Sequence, residues 1–318
     1  MVHKPTEHSV KWVGMSNLLP LLPGFPSKTS CQSNYETYTL VVSGVMNPPQ
    51  LGHILTALKA VEAMPICKSK FRILYAPNSE EYLADKYQRN NKPDEVATSV
   101  AVRCQMIEAL IQTPTVQDFL MSLAYTHNKA VKLQASNVEA VYQAAVETDK
   151  RIAITTDKLI DYMIKNNFIK SGAAGFVFGL DNLIAMPEWD DPTPAFSDAL
   201  RKNCVDLVIL NRDNQLKDLK EKKVFDWILR KFNFNIHREL DDIVKRYMTT
   251  TMLSQVDKGV TDRPTVYLLP ALPEMDGLSS SELKNAQKQL KKATENNNAE
   301  EREEAIEKIK KHGYRVAA

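Results

Sequence analysis

From residue 38 onward, short apolar runs alternate with amphipathic segments. Tyr38-Thr39-Leu40-Val41-Val42 is apolar and β-branched and predicts a buried strand. The segment from Leu51 to Met64 then sets Leu51, Ile54, Leu55, Leu58 and Val61 on one helical face, and Pro65 stops it. Phe71 to Tyr75 predicts a second strand, 79–87 a short helix and the polar stretch 88–94 a loop. Val100, Cys104, Ile107 and Ile111 form a stripe that predicts a helix over 98–112, with Arg103 beside it. Between 114 and 173, helical patterns at 116–126, 138–146 and 156–166 surround a short strand candidate at 131–133, which suits a helical insertion. Strands return at 174–178 and 205–210. Residues 216 to 256 read as two helices, a second insertion near 214–258, before a last strand at 265–269. Helices close the chain at 278–293 and 300–311; the latter has Glu at its start, Lys at its end and Gly313 after it. Residues 1–37 are rich in Pro, Ser and Thr, lack periodicity, and read as a flexible leader.

Alternating strands and helices predict an α/β fold with a mostly parallel, doubly wound sheet over 38–318. Ligands of such sheets sit beyond the carboxyl ends of the strands, where the winding reverses. Three turns follow strands at that edge: 44–53, Gly179-Leu180-Asp181 and Asn211-Arg212-Asp213. The first is the richest in chemistry. Gly44 lets backbone approach a ligand, Pro48 and Pro49 stiffen the loop, and His53 falls in the first turn of a helix. A helix start offers backbone N–H donors and a positive dipole end, so an anion is the natural ligand. A second helix start, Leu278-Ser279-Ser280-Ser281-Glu282-Leu283-Lys284, has the Ser279/Glu282 spacing of a capping box. Its further hydroxyls and the lysine a turn later also suit a phosphate chain.

Composition narrows the class without naming a ligand. The chain has 318 residues, 43% hydrophobic and 25% charged, with a net charge of +2. That balance demands neither nucleic acid nor an acidic membrane. Cys31, Cys67, Cys104 and Cys204 are too scattered for a disulfide framework or a zinc site, and the six histidines have no metal-ligand spacing. No apolar stretch reaches membrane-span length, and prolines break Leu18-Leu19-Pro20-Leu21-Leu22-Pro23 before it could serve as a signal peptide. A reducing compartment fits, cytoplasmic or nuclear. The sequence leaves a homo-oligomer open.

Together the motifs resemble those of the nucleotidyltransferase superfamily of H-x-G-H and S-S-T-x-x-R enzymes, and within it the nicotinamide mononucleotide adenylyltransferases. The opening G-S-F-N-P motif is matched by Gly44-Val45-Met46-Asn47-Pro48, followed by Gln50, Gly52 and His53. The late I-S-S-T-x-x-R motif is matched by Leu278-Ser279-Ser280-Ser281 and Lys284, and the G-A-D turn by Gly179-Leu180-Asp181 with Trp189 beyond it. Arg103 corresponds to a mid-chain helix arginine and Arg212 to one after a late strand; the ending from Ile309 to Gly313 is also similar. Gln50, Ser281 and Lys284 depart from the usual His or Thr, Thr and Arg; lysine lacks the bidentate fork of arginine. The family's mid-chain aromatic facing nicotinamide has no match.

The resemblance implies a Rossmann-like sheet and adenylyl transfer from ATP to nicotinamide or nicotinate mononucleotide, with pyrophosphate released and Mg²⁺ accompanying the ATP phosphates. It implies catalytic roles for His53, Gln50 and Lys284. Gly44, Val45, Met46, Gly52, Ser280, Ser281 and Arg212 would bind the nucleotide, and Asp181, Trp189, Arg103 and Asn47 the acceptor. No residue is implied as a metal ligand. Two alternatives stand beside it: a cytidylyl- or adenylyltransferase with another phosphate-ester acceptor, and a non-catalytic nucleotide-binding module.

Overall fold

The computed structural model describes residues 37–64, 70–91, 98–146, 155–190, 193–211, 236–238, 264, 266–271 and 280–314, without the side chains of 181, 190, 211, 236–238, 268–271, 280 and 281. The leader and most of the second expected insertion lie outside these residues.

Seven parallel strands make one sheet: β1 (Thr37–Gly44), β2 (Lys70–Pro77), β3 (Ala130–Ala135), β4 (Ala174–Gly179), β5 (Val205–Asn211), β6 (Ile236–Arg238) and β7 (Val266–Ala271). Their order is β3-β2-β1-β4-β5-β7-β6, and each neighbouring pair is parallel. The chain winds outward from β1 through β2 to β3, then returns to β4 on the other side of β1. The expected doubly wound α/β architecture is therefore present, and its winding reverses between β1 and β4.

Both faces of the central strands are buried, so these strands read as continuous apolar runs rather than as alternating ones. Leu40, Val42, Ile73, Tyr75, Val177 and Val208 pack on one side against α1 (Leu51–Ala63), α3 (Val100–Ile111) and α4 (Pro114–His127). Val41, Leu74, Phe176 and Leu207 pack on the other against α5 (Val138–Ala145), α6 (Thr156–Lys165), α7 (Leu180–Asp190) and α8 (Ala195–Lys202). The remaining helix of this part, α2 (Glu80–Arg89), follows β2 and buries Leu83 and Tyr87.

Three features depart from the sequence reading. The stretch from 114 to 173 supplies the edge strand β3 and covers both faces with α4, α5 and α6, so it belongs to the layers rather than standing apart as an insertion. Residues 236–238, expected within a helix, form a strand beside β7. Helices α7 and α8 were not expected. Pro187 inside α7 and Pro194 at the N-cap of α8 interrupt the apolar period there, yet Phe196, Ala199 and Leu200 still bury a face of α8.

Helices α9 (Ser280–Glu295) and α10 (Ala299–Lys311) form a hairpin through Leu283, Ala286 and Ile309. The residues after α10 bind back to the start of α1. Leu51 N–H donates to the His312 carbonyl at 3.0 Å, and the Tyr314 hydroxyl donates to the Pro49 carbonyl. Gly313 turns the chain at φ +90°, where an added Cβ would lie 2.7 Å from Leu110 Cδ2. Only glycine fits both that dihedral and that contact. Among the described residues no helix is long and apolar enough to cross a membrane.

Candidate functional site

A cavity of about 430 Å³ opens at the carboxyl ends of β1, β4 and β5, across the reversal of winding. Its floor is the end of β1 and the loop after it: Ser43, Gly44, Val45, Met46 and Asn47. His53 enters from α1, Tyr82, Lys86 and Tyr87 from α2, Asn182 and Trp189 from α7, and Lys284 from α9. The two helix starts that the sequence marked thus meet at one cleft. Lys86 and Lys284 supply its cations, and no Asp or Glu side chain is among the described lining residues.

The loop after β1 is held from behind. Arg103 is fully buried; its Nε donates to the Thr98 carbonyl at 2.9 Å, Nη1 to Val45 at 2.7 Å and Nη2 to Asn78 at 2.6 Å. Burial lowers its pKa, which the nearby Glu80 partly offsets. Glu139, near the start of α5, accepts from the Ser43 hydroxyl at 2.8 Å, from Asn78 Nδ2 at 3.0 Å and from Ser79 N–H at 3.1 Å. Desolvation still pushes its carboxyl above the ordinary glutamate value, because these bonds and Arg103 compensate only in part. Met46 sits in the left-handed region at φ 42°, and the Asn47–Pro48 peptide is cis. At Gly44 an added Cβ would meet nothing within 4 Å, so the loop leaves open space above it.

His53 has a defined orientation. The Gln50 backbone N–H donates to its Nδ1 at 3.1 Å. A neutral ring that accepts at Nδ1 carries its proton on Nε2, so His53 acts as an Nε2–H donor. Tyr87, buried beneath the cleft, joins two of the lining elements. Asn47 Nδ2 donates to its hydroxyl at 2.5 Å, and Lys284 Nζ lies 5.5 Å from the centroid of its ring.

Several expected site residues lie elsewhere. Arg103 does not line the cavity: its guanidinium donates to three backbone carbonyls and braces the loop from behind. Gln50 is 1% exposed, sits at the N-cap position of α1 and does not line the cavity; its Oε1 is buried without a hydrogen bond. Gly52 is buried inside α1, where its carbonyl accepts from the Thr56 hydroxyl. The α1 amides are partly used within the protein, since Leu51 N–H is bound by His312 and His53 N–H by the Gln50 carbonyl. An anion in this cleft therefore meets the β1 loop and the His53 ring more than the dipole end of α1.

Gly44, Val45, Met46, Asn47, His53, Trp189 and Lys284 all line the cavity. Trp189 is 51% exposed and so is not a core residue. Asp181 opens α7 and Ser280 and Ser281 open α9, with side chains outside the described set; Arg212 lies outside it altogether. The sequence reading missed Lys86 and Tyr87. Their signal was the spacing on α2, where Leu83 and Tyr87 form the buried face and Lys86 sits at its rim.

No family model matches the chain, and no curated protein does. It is similar to two solved structures of Plasmodium falciparum nicotinic acid mononucleotide adenylyltransferase. The form complexed with NaAD gives a TM-score of 0.40 at 13% identity, over 80% of this chain and 84% of that one. The form complexed with APC gives a TM-score of 0.39 at 12% identity, over 80% and 84%.

Proposed function

We propose that this protein is a nucleotidyltransferase that binds ATP and a mononucleotide acceptor in the cleft and transfers the adenylyl group. The acceptor is nicotinamide or nicotinate mononucleotide. The observation that carries the reading is the convergence of His53 and Lys284, from opposite ends of the fold, on one cavity at the reversal of winding.

An oxygen of the acceptor phosphate attacks the α-phosphorus of ATP in line. The bond to the bridging oxygen breaks, and pyrophosphate leaves. Such chemistry needs positioning and charge neutralisation more than covalent help. His53 Nε2–H donates to the phosphates where charge builds on the leaving group. Lys284, steered by the Tyr87 ring, faces the β- and γ-phosphates, with Ser280 and Ser281 one turn before it. Lys86 and Asn47 suit the acceptor phosphate, and Trp189 offers a face on which its ring stacks. Mg²⁺ accompanying ATP would screen the phosphate charge beside Lys284.

Pyrophosphate release is the direct assay, with ATP or CTP as donor and a panel of phosphate esters including both mononucleotides as acceptors. The expected result is turnover with ATP and a pyridine mononucleotide, and at least a tenfold loss in His53→Ala, or about 1.4 kcal/mol of barrier. Preference for CTP or another ester would reassign the substrates within the same chemistry. Binding of ATP without any pyrophosphate release would overturn catalysis and leave a nucleotide-binding module.

A further inference from the structure

Glu139 does not line the cleft, yet it sets what two of the lining side chains can offer a ligand. It is 3% exposed and lies near the start of α5. Its Oε1 accepts from the Ser43 hydroxyl at 2.8 Å and from Asn78 Nδ2 at 3.0 Å. Its Oε2 accepts from Asn78 Nδ2 at 3.0 Å and from Ser79 N–H at 3.1 Å. Ser43 and Asn78 both line the cavity, at the neighbouring ends of β1 and β2. The backbone of Asn78 is engaged as well. Its N–H donates to the Gly44 carbonyl at 2.8 Å, and its carbonyl accepts from Arg103 Nη2 at 2.6 Å.

Hydrogen-bond chemistry fixes what remains. A carboxylate only accepts, so the atom of the Asn78 amide that faces Glu139 is the nitrogen. The one polar atom Asn78 has left for the cavity is Oδ1, an acceptor. The Ser43 hydroxyl has a single proton and gives it to Glu139, so toward the cavity Ser43 also only accepts. The two acceptors stand side by side, because both residues hold the same carboxylate oxygen.

The cleft therefore has two chemistries. Lys86, Lys284 and the Nε2–H of His53 are donors and suit phosphate. Ser43 and Asn78, with a buried carboxylate behind them, repel phosphate and suit a part of the ligand that donates. An –NH₂ group carries two N–H bonds, which two adjacent acceptors satisfy. A carboxylate in the same place sets its oxygens against those acceptors and against Glu139, and none of them gains a partner. Such a site selects by rejecting the wrong ligand as much as by holding the right one.

We propose that Ser43 and Asn78, oriented by Glu139, read the ring substituent of the acceptor nucleotide: they accept from a carboxamide and reject a carboxylate. Glu139 is the positioning residue of the set. This selectivity rests on the assignment of a pyridine mononucleotide to the cleft and adds which of the two the cleft takes.

Calorimetric titration of the full chain with nicotinamide mononucleotide and with nicotinate mononucleotide needs no turnover and yields the ratio of their affinities. The amide is expected to bind roughly tenfold tighter or more. Glu139→Gln presents a donor from behind and lets the Asn78 amide turn its nitrogen to the cavity, so the ratio should fall to near one. Ser43→Ala removes one acceptor and should lower the ratio several-fold. A loosened cavity floor would weaken both ligands alike, so a change in the ratio marks reading rather than support. Equal affinities in the wild type, tighter binding of nicotinate mononucleotide, or a ratio that neither variant moves would overturn the proposal and leave the assignment of the cleft standing. Binding of neither mononucleotide would overturn both.

Discussion

Arg103 lies behind the cleft, and the shape of the cleft depends on it. Its three donors hold Thr98, Val45 and Asn78 from behind the loop that forms the cavity floor. Arg103→Met keeps much of the volume and leaves those carbonyls without their partner. A loss of roughly 3 kcal/mol in urea unfolding is expected, since a buried acceptor left unpaired costs about 1–3 kcal/mol. Tyr87 permits a finer cut. Tyr87→Phe removes the acceptor for Asn47 and keeps the ring under Lys284, so KM for the acceptor should rise several-fold with kcat little changed. Tyr87→Leu removes the ring as well and should lower kcat. Steady-state kinetics with each substrate varied would show the split. Position 103 illustrates how far sequence reaches at this scale. The stripe Val100, Cys104, Ile107, Ile111 announced a helix, but no local pattern says that the arginine next to it points inward to carbonyls 25 and 58 residues away. Gln50 is the converse case: the resemblance implied a catalytic role, and at the N-cap position of α1 its side chain is buried.

At the scale of elements, the ends of strands and helices carry the charged groups. Lys129 Nζ donates to the carbonyls of Val61, Glu62 and Met64 at 2.6, 3.0 and 3.0 Å, closing the carboxyl end of α1. This is where a cation best meets a helix dipole. Lys129→Met should cost about 1–2 kcal/mol in chemical denaturation. Glu139 joins the ends of β1 and β2 to α5, and its raised pKa sets the sign of a pH effect. Between the ordinary carboxyl value and the raised one, the folded chain holds a proton that the unfolded chain has lost. Stability from this group is therefore greatest below the unfolded pKa and falls as pH rises through the folded one. Glu139→Gln removes that slope. Thermal melts from pH 4 upward should show the wild type declining relative to the variant. The main elements could be read from sequence because strands buried on both faces are unbroken apolar runs and the long helices keep their period. Helices α7 and α8 escaped because Pro187 and Pro194 interrupt theirs. β6 escaped because three residues are too few to carry a period.

For the whole molecule, the decisive relation is one that no window of sequence contains. The doubly wound order could be expected from alternation alone, and with it a ligand edge. The convergence of α1, α2, α7 and α9 on that edge depends on where the last hairpin packs. Its anchor is the pair of bonds from Leu51 to His312 and from Tyr314 to Pro49. Deleting residues from His312 onward should leave far-ultraviolet circular dichroism nearly unchanged and lower the melting temperature. Turnover should fall more steeply than stability, because the His53 turn and the Lys284 helix lose their shared fastening.

That fastening also orders events at the ribosome. The first strand and the histidine turn emerge early in translation, with the Leu51 amide exposed and its acceptor not yet synthesised. Only when residue 312 has cleared the exit tunnel does the amide find its carbonyl. The bond that ties the last helix to the start of α1 is thus the last of these contacts the nascent chain can make.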